Sequence, residues 1–258
     1  MVSGFRDHFS PVAAGYAAYR PRYPDALFLY LAGLPKRRAL AWDCGCGNGQ
    51  ATLGLAPHFD RVIGTDASAA QLAEASPHSR VEYRVALAEQ SGLDPGTVDL
   101  VTAAQAMHWF DRERFYAEVR RVLAPAGNGV LAVWAYAKGS LDDPALEAEL
   151  QRFYRDTVGP YWPPGREIAE TGYRTLDFPF EELTPPTFAM TAEWTLEELL
   201  GYVGTWSATT RFIADRGEDP RHVLREHLAR IWGAPETRHR LRWPLGLRVG
   251  RVSAPRRT

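Results

Sequence analysis

Between residues 39 and 135, short apolar runs alternate with stretches in which apolar residues recur at helical spacing. The runs lie at residues 39–44, 61–66, 81–85, 98–103 and 129–135. Each run is bounded by polar or turn-forming residues, which is typical of strands that are buried on both faces. Strict alternation of strands and helices predicts a parallel sheet with right-handed crossovers, so we expect an α/β fold.

After residue 137 the pattern changes and helical spacing dominates. Asp143 has the position of a helix N-cap, and Thr195 begins another helix with the spacing of a capping box. A sixth strand is predicted at residues 185–194, and a last, antiparallel strand at residues 240–253. The segments divide the chain into an N-terminal lid segment (1–35), a core (36–137), a helical and loop insertion (138–183) and C-terminal strands and helices that complete the sheet and a cap (184–258).

Composition narrows the class of protein. The chain has 258 residues, of which 45% are hydrophobic, so it can build a large packed core. Its formal net charge of −1 argues against a general nucleic-acid or membrane-surface binder. Residues 238–258 contain several arginines and no acid, and we interpret this excess as a solvated strand and tail rather than an RNA-binding edge.

The cysteines and the N-terminus bear on the cellular compartment. Cys44 and Cys46 are the two cysteines of the chain and stand one residue apart. That spacing suits neither a disulfide nor, without nearby partner ligands, a zinc site. We interpret both as small apolar fillers and expect no metal. With no apolar leader at the N-terminus and no run of about 20 apolar residues, a cytoplasmic protein is expected.

The first apolar run opens into a glycine-rich loop. Asp43 is followed by Gly45, Gly47 and Gly49, which predicts a sharp turn that a ligand can approach closely before a helix begins. A dinucleotide-binding fingerprint would place glycine at position 50, where this chain has Gln50. The loop and its acid therefore favour a cationic or zwitterionic ligand over a pyrophosphate.

The second run also ends in an acid, Asp66. In a βαβ unit the carboxyl end of the second strand lies beside the glycine loop of the first, so Asp66 can accept hydrogen bonds from both hydroxyls of a ribose. Ser68 and Gln71 then have the spacing of a capping box for the following helix. Each signal alone is weak, but their register predicts a nucleoside site.

With these motifs in place, the chain resembles the class I S-adenosylmethionine-dependent methyltransferases. The resemblance covers residues 9–134 and the last strand. It is carried by the glycine loop, by Asp66, by Ala88 and Glu89 after the third strand, by residues 99–110 around the fourth strand, and by the turn at residues 123–129.

The resemblance implies a Rossmann-like, doubly wound, mostly parallel seven-stranded sheet with an antiparallel last strand and a helical insertion. It implies S-adenosylmethionine as cofactor and S-adenosylhomocysteine as product. The cofactor-binding residues that it implies are Asp43, Gly45, Cys46, Gly47, Gly49, Asp66, Ala67, Ala88, Glu89, Gln105 and Ala106.

The N-terminal segment at residues 5–24 combines aromatic residues with arginines and prolines. Such a segment can close over a site, with aromatic faces toward a sulfonium and arginines toward carboxylates. An alternative interpretation is an N-terminal helix that packs its aromatics on the sheet. As a lid, the segment would be mobile without ligand. The residues expected at the acceptor are Tyr19, Arg20, Arg22 and Tyr23, together with Trp109 of the fourth-strand loop.

His108 is the candidate catalytic base, because it follows the carboxyl end of the fourth strand, where open α/β sheets bind ligands. The alternative, which we favour, is that His108 forms part of the pocket wall. Methyl transfer from a sulfonium is an in-line displacement on an activated carbon, so alignment supplies most of the rate enhancement. A carboxylate acceptor would need no base at all.

The chain is most similar to the small-molecule branch of the class that includes the trans-aconitate methyltransferases. We therefore expect a small organic acceptor, with an anionic one favoured over a neutral one, and no nucleic-acid or membrane partner. Two alternatives stay open. One is an RNA or protein methyltransferase that uses the arginine-rich C-terminal end. The other is a nicotinamide-dependent oxidoreductase, against which Asp43 and Gln50 argue.

Overall fold

The computed structural model describes residues 21–124 and 128–252. A parallel sheet in the order β3–β2–β1–β4–β5 forms its centre. Its strands are β1 (Leu40–Cys44), β2 (Arg61–Asp66), β3 (Val81–Val85), β4 (Leu100–Ala104) and β5 (Val130–Tyr136). The predicted runs are therefore strands. β4 begins later than expected, because Val98 makes only an isolated bridge to Leu123.

Helices cover both faces of this sheet, and successive residues of β1, β2, β4 and β5 point into two different apolar clusters. Ala41 of β1 lies in one cluster and Trp42 in the other, and both are fully buried. The covering helices of this half are α1 (Asp25–Ala32), α2 (Gln50–Leu55), α3 (Ala69–Ala73) and α4 (Arg112–Val122). Burial on both faces explains why the strands read as continuous apolar runs.

The last strand, β9 (His239–Arg251), is long and serves two groups of partners. Its second half pairs antiparallel with β5 and with the short strand β7 (Glu181–Leu183), which completes the expected sheet β3–β2–β1–β4–β5–β9–β7. Its first half pairs with β6 (Ser140–Leu141) and β8 (Ala189–Trp194). The mostly parallel sheet with an antiparallel last strand is confirmed.

The predicted sixth strand is real but is shorter than expected. It begins at Ala189 instead of residue 185 and pairs with the first half of β9, beyond the end of β5. The place beside the second half of β9 belongs to β7, which sequence reasoning missed. Three residues, two of them acidic, are too few to show the alternation by which strands are recognised.

Helices from the second half of the chain form a cap. They are α5 (Pro144–Arg152), α6 (Arg166–Glu170), α7 (Leu196–Gly204), α8 (Ser207–Arg216) and α9 (Arg221–Ala229). The Asp143 cap and the Thr195 capping box are both present as predicted. Helices from either side of residue 184 share one apolar cluster with the sheet. The four-part division of the chain stays a prediction.

Several expectations concern residues that the description does not include. Tyr19, Arg20 and most of the lid segment lie outside it, as do residues 125–127 of the glycine-containing turn and residues 253–258. Within the described ranges, no helix has the length and apolar character needed to cross a membrane. Cys44 and Cys46 are both free thiols. The cytoplasmic location stays a prediction.

Candidate functional site

The glycine loop joins β1 to α2 at the carboxyl edge of the sheet. The Cys46 amide donates to the Thr65 carbonyl at 3.0 Å, which ties the loop to the end of β2. Gly47 has φ 55°, a conformation that favours glycine. A Cβ placed there would have Gln71 Oε1 as its nearest neighbour, at 3.6 Å. The protein thus leaves space above Gly47, as a loop that contacts a ligand requires.

Asp43 supports this loop from below. Its side chain is fully buried, and it accepts hydrogen bonds from Thr52 Oγ1 at 2.6 Å and from Thr102 Oγ1 at 2.7 Å. Thr52 lies in α2 and Thr102 in β4, so one carboxylate joins β1, the helix after the loop and the neighbouring strand. The direct contact to a ligand that we expected of Asp43 stays a prediction; a supporting role is what the geometry shows.

The buried position changes the acidity of Asp43. Burial raises the pKa of its carboxyl from 3.8 to about 6, while the hydrogen bonds from Thr52 and Thr102 oppose the change and the charge of Asp66 adds to it. The same burial, with the charge of Asp43, raises the pKa of the Cys44 and Cys46 thiols well above the ordinary value. Neither thiol is therefore an activated nucleophile.

Asp66 lies at the end of β2 and faces the loop. Its Oδ2 accepts from the Gly47 amide at 2.8 Å, and its Oδ1 accepts from the Ser68 amide at 2.8 Å. A carboxylate offers about four acceptor positions, so Asp66 can hold the loop and also accept hydroxyl groups of a ligand. Ser68 caps α3 by accepting from the Gln71 amide, which is the first of the two hydrogen bonds of the predicted capping box.

The neighbouring residues at the end of β3 form the next part of the edge. Val85 pairs with Asp66 across the sheet and is 53% exposed, an unusual exposure for a valine at a strand end. Ala67 is half-buried and Ala88 is buried, and Glu89 Oε1 accepts from the Asp111 amide at 2.8 Å. The sequence analysis did not select Val85, although Val85 ends the third apolar run as Asp66 ends the second.

The loop after β4 crosses the same edge. Gln105 has φ 56°, a left-handed conformation that a side chain rarely adopts. Two hydrogen bonds hold it there: its amide donates to the Trp134 carbonyl at 2.8 Å, and Nε2 donates to the Tyr136 carbonyl at 2.9 Å. Ala106 then lies so close to Gly45 that a Cβ at Gly45 would come within 2.7 Å of it. The two loops therefore pack directly on each other.

His108 lies in the short helix Met107–Trp109 of that loop, and Tyr173 is its hydrogen-bond partner. The distance from His108 Nδ1 to Tyr173 Oη is 3.1 Å. Burial, and next the positive charge of Arg166, lower the pKa of His108 to about 4. The imidazole is therefore neutral at pH 7, which makes it a weak base and weakens the catalytic role that we considered for it.

Tyr173 was not found from the sequence, since it is 65 residues from His108 and no motif marks it. Its ring is fully buried, and its φ is 63°. Burial raises the pKa of the Tyr173 hydroxyl, and the Met107 backbone lowers it, as an N–H aimed at the hydroxyl oxygen would. The hydrogen bond between the Tyr173 hydroxyl and His108 Nδ1 fixes the orientation of the imidazole, whichever of the two groups donates.

A backbone contact fixes Tyr173 in place. Gly172, with φ 61°, lies against Gly246 of β9, and a Cβ on Gly172 would come within 2.6 Å of the Gly246 Cα. Arg248 donates to the Tyr173 carbonyl at 2.9 Å. The last strand thus positions the phenol that orients His108, an arrangement that sequence spacing alone does not reveal.

The described end of the lid segment lies beside these loops. The Pro21 carbonyl accepts from Gln50 Nε2 at 3.1 Å, at the start of α2. Tyr23 is only 9% exposed and packs edge-on against Trp134 at 5.5 Å, whereas Arg22 is exposed. Trp109 is 46% exposed and its ring contacts His108 at 4.9 Å. Tyr23 therefore packs as part of the core, while Arg22 and Trp109 remain accessible.

Comparison with known proteins agrees with this arrangement. A family model described as a methyltransferase domain matches residues 42–131. A Dictyostelium discoideum protein named as a methyltransferase is 33% identical over 231 residues, which are 88% of this chain and 87% of that protein.

Two further relatives are similar in sequence or structure. A Saccharomyces cerevisiae protein named as an S-adenosylmethionine-dependent methyltransferase is 33% identical over 141 residues, 51% of this chain and 47% of that protein. A solved structure described as a type II methyltransferase from Anaeromyxobacter dehalogenans is 46% identical, with a TM-score of 0.87. The match covers 92% of this chain and 100% of that one.

Asp43→Asn tests the buried acid beneath the loop, because asparagine keeps the shape without the charge. The pKa of Asp43 is raised from 3.8 to about 6 in the folded protein. Ionisation of Asp43 therefore destabilises wild type as the pH rises through this range. Below the range the carboxyl is protonated and wild type keeps its full stability. Relative to wild type, the free energy of unfolding of Asp43→Asn should rise by about 2 kcal/mol between about pH 4 and pH 7.

Urea unfolding across this pH range measures the difference. Asp60→Asn is the matched control, because it makes the same change at an exposed acid just before β2, outside the glycine loop. If the difference in unfolding free energy between Asp43→Asn and wild type did not change with pH, the claim that ionisation of buried Asp43 destabilises the protein would be wrong.

Proposed function

We propose that this chain, which belongs to the class I S-adenosylmethionine-dependent methyltransferases as its motifs predicted, transfers the methyl group of S-adenosylmethionine to a small organic acid. The observation that carries the proposal is the meeting of three segments at the carboxyl edge of the parallel strands. They are the loop around Gly47, the carboxylate of Asp66 and the loop from Gln105 to Trp109.

The residues at this edge fit the cofactor. Space above Gly47 accommodates a ligand backbone, and Asp66 can accept the ribose hydroxyls. Val85 offers an apolar surface beside Asp66 for a nucleobase, next to Ala88 and Glu89. When bound, S-adenosylmethionine supplies a methyl group already activated on a sulfonium.

The chain's own residues then have to align the acceptor and exclude water. With Tyr173 as the donor to Nδ1, neutral His108 would carry its hydrogen on Nε2 and could donate a hydrogen bond to an acceptor oxygen, but it is poorly suited to remove a proton from it. Exposed Trp109 provides an apolar face next to it. An acceptor that is already deprotonated, such as a carboxylate, matches these groups.

The alternative of RNA as acceptor is weakened by the partners of the C-terminal arginines. Arg238 pairs with Glu198, Arg240 with Glu193 and Arg248 with Glu182. Arginines whose charges are offset by carboxylates on the same surface attract phosphates less than unpaired ones do. Family membership removes the nicotinamide-dependent oxidoreductase from consideration.

Asp66→Ala should weaken binding of S-adenosylhomocysteine about 10- to 150-fold, since hydrogen bonds to charged groups contribute roughly 1.5–3 kcal/mol. Isothermal titration calorimetry measures the change. Asp66→Asn keeps an oxygen acceptor for the Gly47 amide but removes the negative charge. It therefore distinguishes loss of the loop contact from loss of the charge. Asp60→Ala, an exposed acid before the same strand, is the control. An unchanged affinity for Asp66→Ala would exclude the ribose assignment.

A methylation screen over pooled organic acids, phenols, amines and bulk RNA, read by mass spectrometry, tests the acceptor class. We expect methyl esters of organic acids as the main products, because the site offers hydrogen-bond donors and no strong base. Labelling of RNA alone would overturn the small-molecule proposal.

His108→Ala should lower kcat/KM for a carboxylate acceptor only roughly 2- to 12-fold, as expected for loss of one hydrogen bond of about 0.5–1.5 kcal/mol. His108→Gln retains an N–H donor and should lie nearer wild type. Steady-state kinetics across pH provides the measurement. A loss of ~10²- to 10⁴-fold, with an ionisation near neutral pH that disappears in His108→Ala, would instead identify His108 as a general base.

A further inference from the structure

Arg166, the first residue of α6, is held on an aromatic surface of the cap. Its guanidinium lies over the ring of Trp162, with Cζ 3.6 Å from the ring centroid, and 5.5 Å from the centroid of Tyr154. Behind these rings Trp206 is buried and contacts both. Stacking of this kind fixes the plane of the guanidinium before any ligand arrives.

Only one edge of the guanidinium is used by the protein. Nε donates to Tyr154 Oη at 2.9 Å and to Glu170 Oε1 at 2.8 Å. Within residues 21–124 and 128–252, neither terminal nitrogen has a hydrogen-bond partner, and the Arg166 side chain is 27% exposed. The terminal nitrogens form a fork whose geometry matches a carboxylate.

Arg166 lies on the same side of the molecule as His108. α6 packs against the short helix that contains His108, and the Tyr173 amide that follows α6 donates to the Ile168 carbonyl. The charge of Arg166 is close enough to His108 to lower the pKa of its imidazole. The fork therefore lies beside the place where the acceptor is expected.

The charges around Arg166 leave room for an anion. Arg166 is paired with Glu170, and the neighbouring Lys138, whose Nζ lies 5.9 Å from the Tyr154 ring, is paired with Glu147 at 2.8 Å. These charges offset each other and His108 is neutral. The terminal N–H groups of Arg166, which have no hydrogen-bond partner among the described residues, therefore decide whether the site prefers an anionic or a neutral ligand. A carboxylate satisfies both terminal nitrogens at once, whereas an amide offers only one acceptor atom.

We propose that the terminal guanidinium nitrogens of Arg166 bind a carboxylate of the methyl acceptor and select organic acids over their neutral analogues. The inference rests on the proposed function and adds to it the residue that sets acceptor specificity. It adds an anion-binding residue in the cap, while the role expected of Arg20 and Arg22 of the lid stays a prediction.

The test compares wild type with Arg166→Gln and Arg166→Lys on matched pairs of probes. The probes are phenylacetate, hexanoate and succinate with their amides, each added to protein saturated with S-adenosylhomocysteine. Arg152→Gln is the control, because Arg152 is another cap arginine paired with a glutamate on its own helix. Thermal unfolding and calorimetry report binding, and methylation with S-adenosylmethionine reports KM and kcat.

We expect at least one acid, and not its amide, to bind wild type and Arg152→Gln. Arg166→Gln should bind that acid about 10- to 150-fold more weakly, mainly through a higher KM. Arg166→Lys, which keeps the charge without the fork, should lie between them. All variants should bind S-adenosylhomocysteine equally, which also shows that they are folded.

Three results would overturn the inference. The first is that wild type binds each acid and its amide equally. The second is that Arg166→Gln binds acids as Arg152→Gln does. The third is that Arg166→Gln loses S-adenosylhomocysteine binding, which would assign Arg166 to the cofactor. If wild type itself did not bind S-adenosylhomocysteine, the proposed function on which this inference rests would be wrong.

Discussion

The site depends on one buried carboxylate. Asp43 accepts hydrogen bonds from Thr52 and Thr102, and so joins the strand before the glycine loop, the helix after it and the neighbouring strand. A fully buried acid is costly unless its charge is matched by donors, and here two hydroxyls supply them only when all three elements are in register. The carboxylate therefore penalises any packing in which the loop is misplaced.

Above that support, each polar group at the edge has a neighbour that sets its chemistry. Asp66 is oriented by the Gly47 amide, and His108 by the phenol of Tyr173. Arg166 is oriented by the ring of Trp162. The result is a site of an acid, a neutral imidazole and a stacked cation. The proposed carboxylate acceptor suits these groups, because a nucleophile that is already ionised needs no base.

Local sequence signals predicted the core well because its chemistry is encoded over short distances. The run into Asp43, the alternating glycines and the acid at Asp66 each mark the end of a strand, and parallel strands bring those ends to one edge. Tyr173 and Arg166 could not be found this way. Their contacts arise from packing of the cap and of β9 against the loop of His108, across chain separations that carry no periodic signal. β7 was missed because three residues show no alternation.

Calorimetric titration of the wild-type protein with S-adenosylhomocysteine, alongside the same titration with NAD⁺, tests the central claim most directly. The account predicts saturable binding of one S-adenosylhomocysteine per chain, because the edge offers an acid for a ribose. It predicts no heat of binding with NAD⁺, because the glycine loop lacks the fingerprint glycine at position 50. Binding of NAD⁺ without binding of S-adenosylhomocysteine would contradict it.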